Sequence, residues 1–543
     1  MSPSPHPLAV VVLAAGKGTR MKSRRAKVLH ELCGRPMLGH VLETASRVGG
    51  DRLIVVVGRD ADEVRRTFEG RAEFVLQAEQ KGTGHAVMQA LPALEGHRGD
   101  VLVLYADTPL LREESLRAMR ELRASANADL VMLTSPEPLP GVVVRDDRGR
   151  VQRIVELVDA TPEERAIQEG NTGVYLMDVD LLRDGLAALD TDNTQGELYL
   201  TGVVAYAVAK GRRVEAIRLE DASECLGVNT RGELAEAAYA LRSRKIDELL
   251  DAGVTIVDPE QTYVDVDVVV GRDTVIEPGC VIQGDTRIGE GVHVKPHCTI
   301  ESSVLDDDVV IGPCAHLRPG THLMKGVRIG NFVEVKNSVL GPGVKADHLS
   351  YVGDAEVGAG SSFGCGAITV NYDWDAKHRT VVGAGTRIGC NANLIAPVTL
   401  GDGAAVAAGS TVTLDVPDGA LAVARTKQRN IEGWMARRAR GARTDGAGTA
   451  PAATGSKAGA GRARSAAGAK RAAATKKESA GTKAAGRTTR SRKSSAKKSS
   501  AKKKSAKGRA TPKRATKAAA KERPRAGKTA GKKVGARGAK ARR

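Results

Sequence analysis

Between Val264 and Ile300 an aliphatic residue returns at every sixth position: Val264, Val270, Ile276, Ile282, Ile288, Val294 and Ile300. The count slips by one and resumes at Leu305, Ile311, Leu317, Leu323, Ile329 and Val335. It slips again and recovers as Val382, Ile388, Leu394, Leu400, Val406 and Val412. A period of six matches neither an α-helix nor an alternating strand. It predicts a coil of short parallel strands, three per turn, with one inward aliphatic residue per face: a left-handed parallel β-helix of hexapeptide repeats, assigned to 253–440. Gly often follows the inward residue, as at Ile288-Gly289 and Ile388-Gly389, where the corner needs a residue without a Cβ. Two polar and aromatic interruptions stand out. One holds Arg318-Pro319-Gly320, Phe332–Lys336 and Ala346–Tyr351, and the other is an inserted loop, Asn371–Lys377. Such clusters on a repeat scaffold mark a binding surface.

Upstream, residues 1–230 alternate strand-like apolar runs (Leu8–Ala15, Arg52–Val57, Val101–Tyr105, Asp129–Leu133) with helical patterns such as Leu38–Arg47 and Glu114–Ala124. That alternation predicts an α/β domain, Rossmann-like, with a mostly parallel sheet. Residues 231–252, rich in Ala, Leu, Glu and Arg and followed by Gly253, read as a linker helix.

Charge separates a fourth segment. Residues 441–543 hold 33 Lys and Arg against three acidic residues, a net of +30, while the first 440 carry 50 basic and 61 acidic residues, a net of −11. The basic segment contains no aromatic residue and a single Val, so it is expected to be disordered. Its function reads as non-specific contact with nucleic acid or another polyanion, without base stacking. Seven cysteines, an odd number with no C-x-x-C pair, predict reduced thiols. Leu8–Ala15 is too short for a membrane span and lacks the flanks of a secretory signal, so no membrane insertion and a cytoplasmic location are expected.

The chemistry starts at Leu13-Ala14-Ala15-Gly16-Lys17-Gly18-Thr19-Arg20, directly after the first strand. A Gly-rich turn there lets backbone N–H groups approach a phosphate. Lys17, Arg20 and Lys27 favour a triphosphate, and the spacing excludes both a P-loop and G-x-G-x-x-G. Asp107, at the carboxyl end of Val101–Tyr105, reads either as a Mg²⁺ ligand in the crevice or as the N-cap of a helix beginning near Pro109. In the coil, His348 is the base candidate, and Arg318, Lys336 and Lys377 could clamp a phosphate.

Leu13–Met21, Lys27-Val28-Leu29-His30, Gln77–Ala86, Tyr105-Ala106-Asp107 and Asn171-Thr172-Gly173 together resemble the sugar-1-phosphate nucleotidylyltransferases. Joined to a hexapeptide coil, they resemble the bacterial bifunctional N-acetylglucosamine-1-phosphate uridylyltransferase/glucosamine-1-phosphate N-acetyltransferase family, over about residues 8–435. The resemblance implies synthesis of UDP-N-acetylglucosamine, a precursor of cell-wall peptidoglycan and, where present, lipopolysaccharide. Acetyl transfer from acetyl-CoA to glucosamine-1-phosphate comes first; uridylyl transfer from UTP then releases pyrophosphate.

The resemblance also assigns residues. UTP and the uridylated sugar would lie on Leu13, Ala14, Ala15, Gly16, Lys27, Gln77, Gly82, Thr83, Gly141, Glu156, Asn171 and Asn229, with Arg20 and Lys27 neutralising charge and Mg²⁺ between Asp107 and Asn229. Glucosamine-1-phosphate would be held by Arg318, Lys336, Tyr351, Asn371 and Lys377, with His348 as general base and Glu334 beside it. Acetyl-CoA would meet Cys365, Asn371, Tyr372, Cys390, Ala408 and Arg425. The implied assembly is a homotrimer with Trp434 packed near the coil end. Departures from the family pattern are Ala26 for Pro before Lys27, Pro140-Gly141-Val142 for Tyr-Gly-Arg, Ser362 where some relatives carry Asn, and Cys390 where some carry Ser.

Overall fold

A computed structural model describes residues 7–444, and the basic segment beyond Thr444, with its expected disorder and polyanion contact, lies outside the described residues. The chain divides at Glu432/Gly433 into two compact units. The second is described only by the helix Trp434–Thr444, in which Arg438 lies over the Trp434 ring at 5.2 Å. That helix crosses position 440, where the sequence suggested a boundary.

In the first unit, long apolar runs with few polar interruptions become central strands because both faces are buried. Leu8–Ala14 is buried almost throughout and pairs in parallel with Arg52–Val57 on one side and Asp100–Tyr105 on the other. The sheet runs Val214–Arg218, Leu130–Ser135, Gly170–Asp178, Asp100–Tyr105, Leu8–Ala14, Arg52–Val57, Glu73–Leu76. It is mostly parallel, as expected, but Gly170–Asp178 is antiparallel to both neighbours. A hairpin, Gly141–Arg145 with Val151–Glu156, hangs from the same strand. The chain turns from one direction to the other across the sheet at Leu8–Ala14, and the crevice beyond its carboxyl end is where ligands bind in such sheets.

The linker helix spans Arg231–Asp251. Its start is a capping box: the Thr230 hydroxyl accepts from Glu233 N, and Glu233 Oε2 accepts from Thr230 N at 2.7 Å. The same carboxylate takes Asn229 N at 2.7 Å, so the cap also fixes Asn229.

The coil is three parallel sheets of ten, nine and eight strands around one apolar core. Every aliphatic residue named from the hexad count is buried in it. Between Val335 and Val382 the structure differs from the sequence reading. The coil is not broken at 318–351: its inward positions continue as Leu340, Ala346, Val352, Val357, Phe363 and Thr369. Five-residue steps and two small or polar inward residues hide the period there. Only Asn371–Lys377 leaves the coil, closed by an antiparallel bridge between Tyr372 and Lys377. Glycine after the inward residue is a stacking requirement. A Cβ on Gly389 would lie 2.5 Å from Ala408 N, and one on Gly364 would lie 2.6 Å from Cys390 N, both backbone atoms of the next coil. Among the described residues no helix is long and apolar enough to cross a membrane.

Candidate active sites

The crevice at the end of Leu8–Ala14 holds a cavity of about 340 Å³, lined by Leu13–Gly16, Lys27, Gln77, Gly82, Thr83, Asp107 and Asn229, together with Gln80, Tyr105 and Glu197. Gly18 is left-handed (φ 59°), and a Cβ there would press on Lys27 Cβ at 2.8 Å. The turn thus wraps closely around Lys27. The Lys27 ammonium donates to Asp107 Oδ2 at 2.6 Å and to Asn229 Oδ1 at 3.0 Å. Its side chain is only 8% exposed, so the contact is shielded from water. Asp107 is not a helix cap: the following helix begins at Glu113 behind Arg112, and the Asp107 carboxylate faces Lys27.

Gln77 is buried and donates to Gly82 O at 3.2 Å. Gly82 (φ 104°) abuts Leu198 O, where a Cβ would come within 2.5 Å, and Thr83 Oγ1 accepts from Leu200 N. Burial, reinforced by the Asp107 charge, raises the Tyr105 phenol far above its usual range, so it stays neutral. Arg20 is exposed on the turn Thr19–Met21 and is not among the cavity's lining residues. Ala26 adopts φ −53°, a proline value, without proline's ring.

Gly141, Glu156 and Asn171 meet through the hairpin. Gly141 pairs with Glu156, and a Cβ on Gly141 would lie 3.4 Å from Asn171 Cβ. Asn171 Oδ1 accepts from Tyr175 OH at 2.9 Å, which leaves its amide NH₂ for other partners. Glu156 opens on a second cavity of about 380 Å³ beside Pro138–Pro140 and Gln195, and burial together with Asp159 raises its carboxyl above the usual range.

On the coil, two corners carry the polar residues. At the first, each position two beyond an inward residue stacks on its equivalent one coil away: His348 after Ala346, Cys365 after Phe363, Cys390 after Ile388, Ala408 after Val406. Backbone bonds tie the column, with Asn391 N to Cys365 O and Gly409 N to Cys390 O both 2.8 Å. Arg425 is exposed beyond the last strand, Leu421–Ala422.

The second corner stacks Asn337, Asp354 and Asn371. Asp354, 7% exposed, accepts from Asn337 Nδ2 at 2.6 Å and from Asn371 Nδ2. Asn371 Nδ2 also reaches Tyr351 OH at 3.3 Å, and Lys336 Nζ lies 4.0 Å from Asp354. Burial pushes the Asp354 carboxyl up, but the two amide donors and the charges of Lys336 and Lys377 outweigh it, and it lies below the usual range. Lys336 is lowered by the adjoining Lys377 and by burial, against the pull of Asp354. Two cations crowded together without enough anions are poised for a phosphate. Arg318 Nη1 donates to Glu334 Oε1 at 2.9 Å, so Glu334 is spent on Arg318 and makes no hydrogen bond to His348. In the loop, Asp373 is pulled down to about 2 by the Ala376 N–H and by His378, and Tyr372 and Trp374 stand exposed over the coil.

The sequence reading missed Asp354 and Glu197. For Asp354 a signal existed: Asn337, Asp354 and Asn371 recur at one full coil's spacing, each two residues past an inward position.

A crevice of this kind on an α/β sheet, joined to a coil with polar corners, defines a transferase with two separate sites. Residues 10–173 match the MobA-like NTP transferase domain, and 267–302 and 379–413 match the bacterial transferase hexapeptide (six repeats). The protein named bifunctional protein GlmU from Pelobacter propionicus is 48% identical over 79% of this chain and 98% of its own length. Those of Trichlorobacter lovleyi and Geobacillus sp. are each 47% identical, over 78% and 79% of this chain and 97% of their own lengths. The chain belongs to the bifunctional GlmU family: it is an enzyme with uridylyltransferase and acetyltransferase activity, its coil a left-handed parallel β-helix.

Proposed function

We propose that the chain acetylates glucosamine-1-phosphate with acetyl-CoA at the coil and then joins N-acetylglucosamine-1-phosphate to UMP from UTP at the sheet crevice. The observation that carries the second step is Lys27 held between Asp107 Oδ2 and Asn229 Oδ1. Two hard oxygens converge there on one cation, the donor set that suits Mg²⁺. Among the described residues no group of three or more His, Cys, Asp or Glu converges on a metal site, so water and phosphate oxygens would complete its shell. Bound there, Mg²⁺ supplies neutralisation of the triphosphate.

The Leu13–Gly16 turn and Gln77–Thr83 take the nucleotide, while Gly141, Glu156 and Asn171 take the sugar. A phosphate oxygen of the sugar attacks the α-phosphorus, and pyrophosphate leaves. Lys27 offsets the charge that develops, with the exposed Arg20 of the turn Thr19–Met21 as the second cation of this reading, so no protein nucleophile is required.

At the coil, Arg318, Lys336 and Lys377 receive the phosphate, and Tyr351 and Asn371 the sugar. His348 takes a proton from the substrate amine as that amine attacks the thioester carbonyl, and CoA leaves as the thiol. The first corner column, from Cys365 through Cys390 to Ala408 and on to Arg425, with Tyr372 of the loop, lines the acetyl-CoA. Hexapeptide coils of this kind pack side by side, and a homotrimer in the cytoplasm is part of this reading. The basic segment beyond Thr444 contacts polyanions without entering either reaction.

The test is product identification by phosphorus NMR. Glucosamine-1-phosphate, acetyl-CoA, UTP and Mg²⁺ should give a UDP-sugar and pyrophosphate. With acetyl-CoA omitted, unchanged glucosamine-1-phosphate is expected. A UDP-sugar formed without acetyl-CoA would contradict the order of the two steps.

A further inference from the structure

The first coil corner carries two thiols in register. Phe363 pairs with Ile388, so Cys365 and Cys390, each two residues on, occupy the same corner of consecutive coils, and Asn391 N donates to Cys365 O at 2.8 Å. Neighbouring strands stand about 4.8 Å apart, inside the roughly 4.4–6.8 Å window of Cα separations that a disulfide spans. Stacked side chains start near that same spacing at Cβ, slightly wide of the usual value of about 3.5–4.5 Å. Gly364 and Gly389 are stacked tightly on the backbone of the next coil, so the small closing movement falls on the two cysteine residues themselves.

The coil register, rather than access alone, singles out this pair. Cys390 is exposed and Cys365 partly so, as are Cys33 and Cys314, whereas Cys225, Cys280 and Cys298 are buried. Burial, with the Asp265 charge, raises the Cys33 thiol to about 11, which keeps it protonated and unreactive. All seven are thiols in this structure.

We propose that Cys365 and Cys390 form a reversible disulfide that switches off acetyl transfer while sparing uridylyl transfer. The pairing stands on the coil register; the consequence for activity rests on the reading of this corner as the acetyl-CoA column. The oxidant is a small disulfide. The Cys390 thiolate attacks one of its sulfurs and expels a small thiol. The Cys365 thiolate then attacks the Cys390 sulfur of the mixed disulfide and expels the second. Two protein thiols lose two protons and two electrons, and the small disulfide gains them. The new bond ties two rungs of the column together beside His348, and the nucleotide crevice is built from other elements.

Full-length protein is incubated with hydroxyethyl disulfide, then analysed by peptide mapping and by CoA and pyrophosphate release. The expected result is a Cys365–Cys390 crosslink with loss of two hydrogens and unchanged pyrophosphate release from UTP and N-acetylglucosamine-1-phosphate. CoA release should fall by roughly tenfold or more, because a misplacement of about 1 Å at a positioned site costs ~10²-fold. Dithiothreitol should restore it. Cys390→Ala, which lacks the attacking thiol, should show no oxidant-dependent change from its own untreated rate, whereas Cys365→Ala should stop at a mixed disulfide on Cys390. Failure of the crosslink to form overturns the pairing. A crosslink that leaves CoA release unchanged overturns the switch, and with it the placement of acetyl-CoA at this corner.

Discussion

Replacing Asp354 with Asn tests how the coil site is held. Asp354 touches no reacting atom; it accepts from the amides of Asn337 and Asn371 and faces Lys336. The substitution keeps the shape but leaves one acceptor oxygen where two were in use, so one buried amide donor meets another. A hydrogen bond to a charged group contributes about 1.5–3 kcal/mol. At about 1.4 kcal/mol per factor of ten, its loss corresponds to roughly 10- to 100-fold in kcat/KM for glucosamine-1-phosphate. Lys336 also loses the one anion opposing Lys377, so its affinity for a proton falls further. CoA release is the assay, with pyrophosphate release as internal control. The expected pattern is a loss confined to CoA release, with KM rising as Asn371 and Lys336 lose their anchor. Full CoA release with unchanged KM would refute the positioning role. The pH dependence has a definite sign. The folded carboxyl lies below its usual value, so its contribution is complete above the ordinary carboxylate range and is lost only as pH falls through the lowered value.

Three further outcomes are expected. Thr230→Ala removes the capping-box hydroxyl and should cost about 1 kcal/mol of stability by denaturant melt, with slower pyrophosphate release because the same cap holds Asn229. Ala26→Pro fits the existing φ of −53° and should stabilise by about 0.4–1 kcal/mol; destabilisation would show that the Ala26 N–H or Arg25 cannot accept the ring. Gly389→Ala drives a Cβ to 2.5 Å from Ala408 N and should destabilise by about 1–3 kcal/mol, whereas Gly403→Ala meets no neighbouring atom and is limited to the strain of its left-handed φ of 63°.

The coil was legible because its core demands an aliphatic residue at each inward position, and most positions comply. Legibility failed where Ala346 and Thr369 face inward and where the steps shorten before Leu340 and Val357. The central strands Leu8–Ala14, Arg52–Val57 and Asp100–Tyr105 were equally plain, since burial on both faces leaves unbroken apolar runs. Gly170–Asp178 was not read as a strand: it opens with Gly-Asn-Thr-Gly, a turn-like composition, and its direction depends on its neighbours. The nucleotide crevice could be anticipated because Gly and Lys follow a strand directly. Asp354 was hidden because an Asp at a coil corner looks like any turn residue until the coils are stacked. The Thr230–Glu233 capping box was written in the sequence as T-x-x-E and went unread. Asp107 stood equally well as a helix cap or a cation ligand; the late start of the next helix, at Glu113, removed the first option.

The central claim is that one chain carries two independent sites linked only by a diffusible intermediate. Mixing His348→Ala with Asp107→Ala tests it most directly, starting from glucosamine-1-phosphate, acetyl-CoA, UTP and Mg²⁺. Each variant alone should make no UDP-N-acetylglucosamine: the first releases no CoA, and the second releases CoA without pyrophosphate. The mixture should make it after a lag, as one protein's product becomes the other's substrate. A mixture as inactive as its parts, or His348→Ala releasing no pyrophosphate when supplied with N-acetylglucosamine-1-phosphate, or Asp107→Ala releasing no CoA, would contradict the account.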